Sequence, residues 1–177
     1  IGFISIESDM SMMTEREKGF SNALADAQNS KAVATTLKFP FSDSHEEMIA
    51  SIQSFVLENS QLDALFFATN YLGVLGIEAL QKCKLTIPTD IAIVSFDDND
   101  LFRLLTPSVT VAAQPINEIA TASINLLLKI INKELRPSHT TGEVIKPVII
   151  VRNSSPKKSN AKKNRFTKSV QTVAVAD

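Results

Sequence analysis

Residues 62–80, LDALFFATNYLGVLGIEAL, join two patterns. Residues 64–68, ALFFA, are a short apolar run with no polar face, as expected of a strand covered on both sides. Thr69 and Asn70 interrupt it. YLGVLGIEALQKC (71–83) then sets Leu72, Leu75 and Leu80 near helical spacing, although Gly73 and Gly76 lower helix propensity. A buried strand running straight into a helix is half of a parallel crossover unit.

The same alternation extends in both directions. IGFISI (1–6) reads as a strand. TEREKGFSNALADAQ (14–28) follows as a helix, with Thr14 and Glu17 suited to a capping box and Phe20, Leu24 and Ala27 at helical spacing. AVATTLKF (32–39) is a second strand. Ser44 and Glu47 form a second capping-box pair before Met48, Ile52, Phe55 and Val56. PTDIAIVSF (88–96) is a fourth strand. The order β-α-β-α-β-α-β predicts an α/β fold with a parallel, doubly wound sheet and right-handed crossovers.

Beyond residue 100 the pattern changes. PSVTVAAQP (107–115) reads as extended, INEIATASINLLLKIIN (116–132) as a helix opening after Pro115, and EVIKPVIIVR (143–152) as a strand that Pro147 pushes toward an edge. Residues 1–152 hold 12 Lys/Arg against 18 Asp/Glu, a net of −6, whereas residues 153–177 hold 6 against 1, a net of +5. The latter read as a basic, disordered tail, with VQTVAVA near its end as a loose segment. The tail can be simply solvated or can make nonspecific contacts with phosphates.

Composition narrows the function classes. Cys83 is the single cysteine, so no internal disulfide forms, and with two distant histidines, His45 and His139, no typical zinc site assembles. No metal or cofactor is expected. No apolar run is long enough to span a membrane, and no leader precedes the first strand. The chain opens inside an apolar run without an initiator Met, giving the expectation that it is part of a longer protein. G-x-S-x-G, P-loop and G-x-G-x-x-G motifs are absent, and neither histidine neighbours a candidate nucleophile, so no enzyme is expected. A receiver domain shares the alternating pattern. It would need a phosphorylated aspartate ending the third strand, where Thr69–Asn70 stand, and an acidic pair ending the first.

In open parallel sheets, ligands bind beyond the carboxyl ends of the strands. Those ends lead to Arg16 after the first strand, Asn70 after the third, Asp97–Asp98 after the fourth and Gln114 in the extended connection. A guanidinium, a carboxylate and two amides suit a polyhydroxylated ligand, whose hydroxyls both donate and accept. Each also has a plainer reading: Arg16 as a solvated charge, Asn70 as a helix cap, the aspartates as turn formers. Asp98 is expected to hold the loop rather than the ligand.

The stretches REKGFSNAL (16–24), LDALFFATNYLGVLGIEAL (62–80), IPTDIAIVSFDDND (87–100), PSVTVAAQP (107–115) and KPVIIVRNSS (146–155) together resemble the LacI/GalR family of bacterial transcription repressors. Their effector domain is similar to periplasmic sugar-binding proteins and has two α/β lobes. The resemblance spans about residues 1–155. It implies that residues 1–110 are most of the second lobe, that 111–135 cross to the first, that 143–152 return, and that 153–177 are a tail. It implies a cytoplasmic, effector-binding, dimeric regulator that reaches operator DNA through a helix-turn-helix outside this chain. The alternative on the same fold is a periplasmic-type sugar-binding protein or receptor sensor lobe with no DNA role. Arg16, Asn70, Asp97 and Gln114 match the family's effector contacts. Two positions depart from the family pattern: Tyr71 stands where Asp is common, and Ile116 where an aromatic is common; either can line the cleft or the dimer face. Leu72, Leu75, Leu101 and Leu105 are the dimer-interface candidates, with plain core packing as the other reading. The apolar face of helix 116–132 is expected to be exposed and to favour self-association.

Overall fold

The computed structural model describes residues 1–27, 33–136 and 142–155. The elements run β1 (Gly2–Ile6), α1 (Ser11–Asp26), β2 (Thr35–Phe39), α2 (His45–Glu58), β3 (Ala64–Phe67), α3 (Asn70–Lys82), β4 (Ala92–Phe96), α4 (Asp100–Leu104), β5 (Thr110–Ala113), α5 (Ile116–Ile131) and β6 (Val148–Ile150). They form one sheet in the order β2-β1-β3-β4-β5-β6. β1 to β5 are parallel, and β6 pairs antiparallel with β5 at the edge where Pro147 was expected to put it. This is the α/β doubly wound sheet expected from the sequence.

The two faces of the sheet are covered unequally. On one, Ile4, Leu65, Phe67 and Ile93 join Ile52, Val56, Leu72, Leu75 and Leu80 from α2 and α3 in the main core. On the other, α1 brings Met13 and Phe20 onto Phe3, Phe66 and Ala68, with Phe20 stacked 4.9 Å from Phe3. β1 is therefore buried on both faces, and apolar except at Ser5. The edge strand β2 alternates instead, because only one of its faces has a cover.

Gly73 and Gly76 take on a meaning that propensity alone misses. A Cβ on Gly76 would lie 2.1 Å from Phe67 Cζ, and one on Gly73 would lie 2.8 Å from Ser95 Oγ and from Phe102 Cζ. The two glycines let α3 settle directly onto β3 and β4, which outweighs their helix cost.

Several expectations are corrected. α1 begins at Ser11, so Thr14 lies inside the helix and donates to Ser11 O instead of forming a capping box with Glu17. Glu17 pairs with Lys38 at 2.7 Å. The Ser44–Glu47 capping box is present in full. Residues 111–113, expected to be leaving for another lobe, belong to this sheet as β5. The return strand is shorter than 143–152, being confined to Val148–Ile150. The tail does not loosen at Asn153: Ser154 is fully buried. Residues 156–177, including VQTVAVA, and His139 lie outside the described residues. No residue of α5 is buried, and Ile116, Ile124, Leu127, Leu128 and Ile131 are at least half exposed, as its unpartnered apolar face implied. Among the described residues no helix is long and apolar enough to cross a membrane.

Candidate functional site

All five parallel strands end at the same edge of the sheet, so residues just beyond them converge. Arg16, in the second turn of α1, reaches across this edge. Its Nη1 donates to the carbonyl of Ala68 at 2.6 Å, immediately past β3. Its guanidinium lies 3.8 Å above the centre of the Phe96 ring at the end of β4, a cation–π contact. Its Nη2 stands 3.7 Å from Asp97 Oδ2, and the Arg16 side chain is only 9% exposed. Burial lowers the Arg16 guanidinium below its ordinary pKa, and the neighbouring Asp97 charge works against that. An arginine stays charged through such a change.

Asp97 has φ 65°, in the left-handed region. A β-carbon makes this conformation cost about 1 kcal/mol, less for Asp than for most residues. It turns the Asp97 and Asp98 side chains to different partners. Asp97 N–H continues the ladder by donating to Ala112 O at 3.0 Å. Its Oδ1 accepts from Gln114 Nε2, at the exit of β5, at 2.5 Å. Arg16, Asp97 and Gln114 thus form one polar cluster that joins the exits of β1, β4 and β5, with β3 tied in through Ala68.

Asp98 turns away and meets Arg152 in a two-point pair: Nη1 to Oδ1 at 2.8 Å and Nη2 to Oδ2 at 2.6 Å. Its Oδ1 also accepts from Asn99 N–H at 2.9 Å. The Arg152 hydrogen bonds hold the Asp98 carboxyl below its ordinary pKa, and Asp98 in turn raises that of Arg152. Arg152 further donates to Val109 O at 2.9 Å. Its backbone N–H donates to Thr110 Oγ1 at 2.8 Å. Ser154 Oγ donates to Ile93 O and accepts from Thr110 N–H, which fastens the end of the chain between β4 and β5.

The remaining expected contacts are placed differently. Thr69, not Asn70, caps α3, its side chain accepting from Leu72 N–H at 3.2 Å. Asn70 is half-buried, lies two residues beyond the Arg16 acceptor Ala68, and no hydrogen bond holds its side chain among the described residues. Tyr71 turns toward the start of α2, with its hydroxyl 3.8 Å from Met48 Sδ and its ring edge-on to His45 at 5.4 Å. Ile116 is 71% exposed at the start of α5.

Leu72 and Leu75 are buried in the subunit's own core and are thereby unavailable to a dimer partner, a correction to their reading as interface residues. Helical spacing alone cannot separate a core face from an interface face. Leu105 is half-buried against the main core and lines a recess of about 370 Å³ at the opposite, amino edge of the sheet. Leu101 is exposed, and Leu104, within the same 101–105 segment, is 80% exposed.

Phe96 and Arg152 were missed from the sequence. Phe96 ends a strand whose alternate residues face α1, and that register could have pointed to it. Arg152 lies 54 residues from Asp98, and nothing local announces the pairing. Among the described residues, no group of three or more His, Cys, Asp or Glu is placed to hold a metal ion.

The periplasmic binding protein-like domain family matches residues 1–155. The ribose operon repressor of Haemophilus influenzae is 28% identical over 154 residues, covering 87% of this chain and 45% of the relative. A probable opine utilization operon repressor of Rhizobium rhizogenes is 24% identical over 146 residues, covering 82% of this chain and 72% of the relative. The fold is similar to a LacI family transcriptional regulator from Arthrobacter sp. FB24 in complex with lactose, with TM-score 0.72, 19% identity, and coverage of 88% of this chain and 57% of that one. The chain spans about half the length of most of the curated relatives it matches or less. The chain belongs to the periplasmic binding protein-like domain family.

Proposed function

We propose that the chain is the ligand-sensing part of a LacI-type repressor, and that a sugar or sugar derivative binds at the carboxyl edge of the sheet. The observation that carries this reading is the Arg16–Asp97–Gln114 cluster, in which three hydrogen-bonding side chains from three separate segments meet at one edge. A carboxylate accepts two hydroxyls and a guanidinium donates in a fixed fork, a combination that suits vicinal hydroxyl groups. The lactose complex of the similar regulator supports a carbohydrate as the ligand class. No catalytic step belongs to this reading.

In this account Asp97 and Arg16 anchor the effector, Asn70 supplies a free amide nearby, and Gln114 exchanges its bond to Asp97 for one to the ligand. Because Gln114 opens the segment leading to α5, that exchange favours one setting of the connection over another. The effector shifts the population by its differential affinity for the two settings. The shift reaches operator DNA through a DNA-binding region outside this chain. The protein works in the cytoplasm as a homodimer, with exposed Leu101 and Leu104 offering an apolar contact.

Calorimetric titration of the chain with a panel of pentoses, hexoses, disaccharides and their phosphates tests the reading. One sugar is expected to bind, and Asp97→Ala is expected to weaken it about tenfold to a hundredfold, as for loss of a charge-assisted hydrogen bond. In the full-length protein the same substitution should abolish effector release of operator DNA and leave operator binding intact. An effector response unchanged by Asp97→Ala overturns the reading.

A further inference from the structure

Asp97 stands in a conformation that an L-residue with a side chain adopts only when its surroundings hold it there. Upstream, its N–H is fixed to Ala112 O at 3.0 Å. Downstream, the next residue is fixed by the two-point pair between Asp98 and Arg152, at 2.8 and 2.6 Å. Arg152 is itself anchored three more times: through Nη1 to Val109 O, through its N–H to Thr110 Oγ1, and through its carbonyl, which accepts from Thr110 Oγ1 at 3.1 Å. Its side chain is 13% exposed and that of Asp98 27%, so the pair is partly withdrawn from water. Two residues on, Ser154 is fully buried, so the segment carrying Arg152 is itself seated in the sheet.

We propose that Arg152 is a positioning residue for the ligand site: through Asp98 it holds the backbone of Asp97 in the left-handed conformation that aims the Asp97 carboxylate at Arg16 and Gln114. Among the described residues, no hydrogen bond or ion pair joins Arg152 to these three side chains. It acts through one peptide link, and it makes the geometry of the site depend on a segment that follows β6. The two adjacent acids divide the work. Asp97 holds the connection leaving β5 through an exchangeable amide, and Asp98 holds the segment following β6 through a bidentate charge pair. The exchangeable contact moves while its neighbour stays fixed.

The inference rests on the reading of Asp97 as a ligand contact, but its test needs no ligand. In the isotopically labelled chain, NMR follows the residue-97 backbone signals, the Gln114 side-chain amide and hydrogen exchange across the sheet. Arg152→Gln is expected to move the residue-97 backbone shifts out of the left-handed range. The Gln114 amide should shift toward the position of a free side chain, and exchange at the Asp97 amide should speed about tenfold to a hundredfold, the range for loss of a charge-assisted hydrogen bond. Amides in β1 and β3 should keep their protection. Asp98→Asn, which retains an acceptor for Asn99 N–H, should give the same local pattern in a second background. Unchanged residue-97 and Gln114 signals in both variants overturn the proposal. So does loss of protection throughout the sheet in both, since the pair would then hold the fold and not the site. Failure of the chain to bind any sugar would instead count against the function proposed above and leave this result standing.

Discussion

The Arg16 guanidinium lies over the Phe96 ring, 3.8 Å from its centre, while its nitrogens reach Ala68 O and Asp97. A planar cation can stack and donate sideways at once, whereas an ammonium is a point charge. Arg16→Lys is therefore expected to behave as a damaging change. It should lower stability by about 1–3 kcal/mol, the value of a charge-assisted hydrogen bond with its stacking, which corresponds to roughly 2–4 °C in Tm per kcal/mol for a chain of this size. Differential scanning calorimetry checks this. A variant that melts with the wild type would show that the stack and the Ala68 contact contribute nothing.

The Asp98–Arg152 pair gives stability a definite pH dependence. The native Asp98 carboxyl is held below its ordinary pKa, chiefly by the Arg152 hydrogen bonds and against the effect of burial. Below about pH 4, the ordinary range for an aspartate, the unfolded chain takes up this proton more readily than the native one. The stabilisation is thus fully present above that range and is lost as the pH falls through the depressed native value. Urea unfolding of wild type and Asp98→Asn should differ by about 2 kcal/mol at neutral pH, and the gap should narrow below about pH 4. A gap that stays constant down to acid unfolding would contradict the pairing.

Two glycines in helices should respond oppositely to alanine. At Gly76 the new methyl would fall 2.1 Å from Phe67 Cζ and 2.2 Å from Cε1, inside a ring that is fully buried. Overpacking of this kind costs about 1–3 kcal/mol, more than the roughly 1 kcal/mol of helix propensity gained. At Gly19 nothing lies within 4 Å of the added methyl. Gly19→Ala should therefore stabilise by up to about 1 kcal/mol. Chemical denaturation of the two variants compares them directly, and the same sign at both sites would refute the close approach of α3 to β3.

Cys83, half-buried at the end of α3, has its thiol pKa pushed up by burial, with only a weak opposing contact from Gln53 Nε2 at 3.9 Å. The reactive species is the thiolate. Labelling by iodoacetamide at neutral pH should be slower than for a free thiol and should accelerate when urea unfolds the chain. Equal rates in the folded and unfolded chain would count against this environment.

How far the sequence determined this protein depends on the range of the interactions involved. The apolar runs at 1–6, 64–68 and 88–96 and the helical spacing between them specified a parallel α/β sheet, because periodicity reports which faces must be covered. Arg16, Asn70, Asp97 and Gln114 could be named because strand exits converge in any such sheet. Tertiary structure alone decided the rest. It buried Leu72 and Leu75 in the core, turned Tyr71 toward α2, set Phe96 under Arg16 and joined Asp98 to Arg152 across 54 residues. Local spacing fixes which residues share a face of an element. Which neighbour that face meets, and which of two adjacent carboxylates finds a cation, follows from how the strands are ordered and from the backbone turn at Asp97.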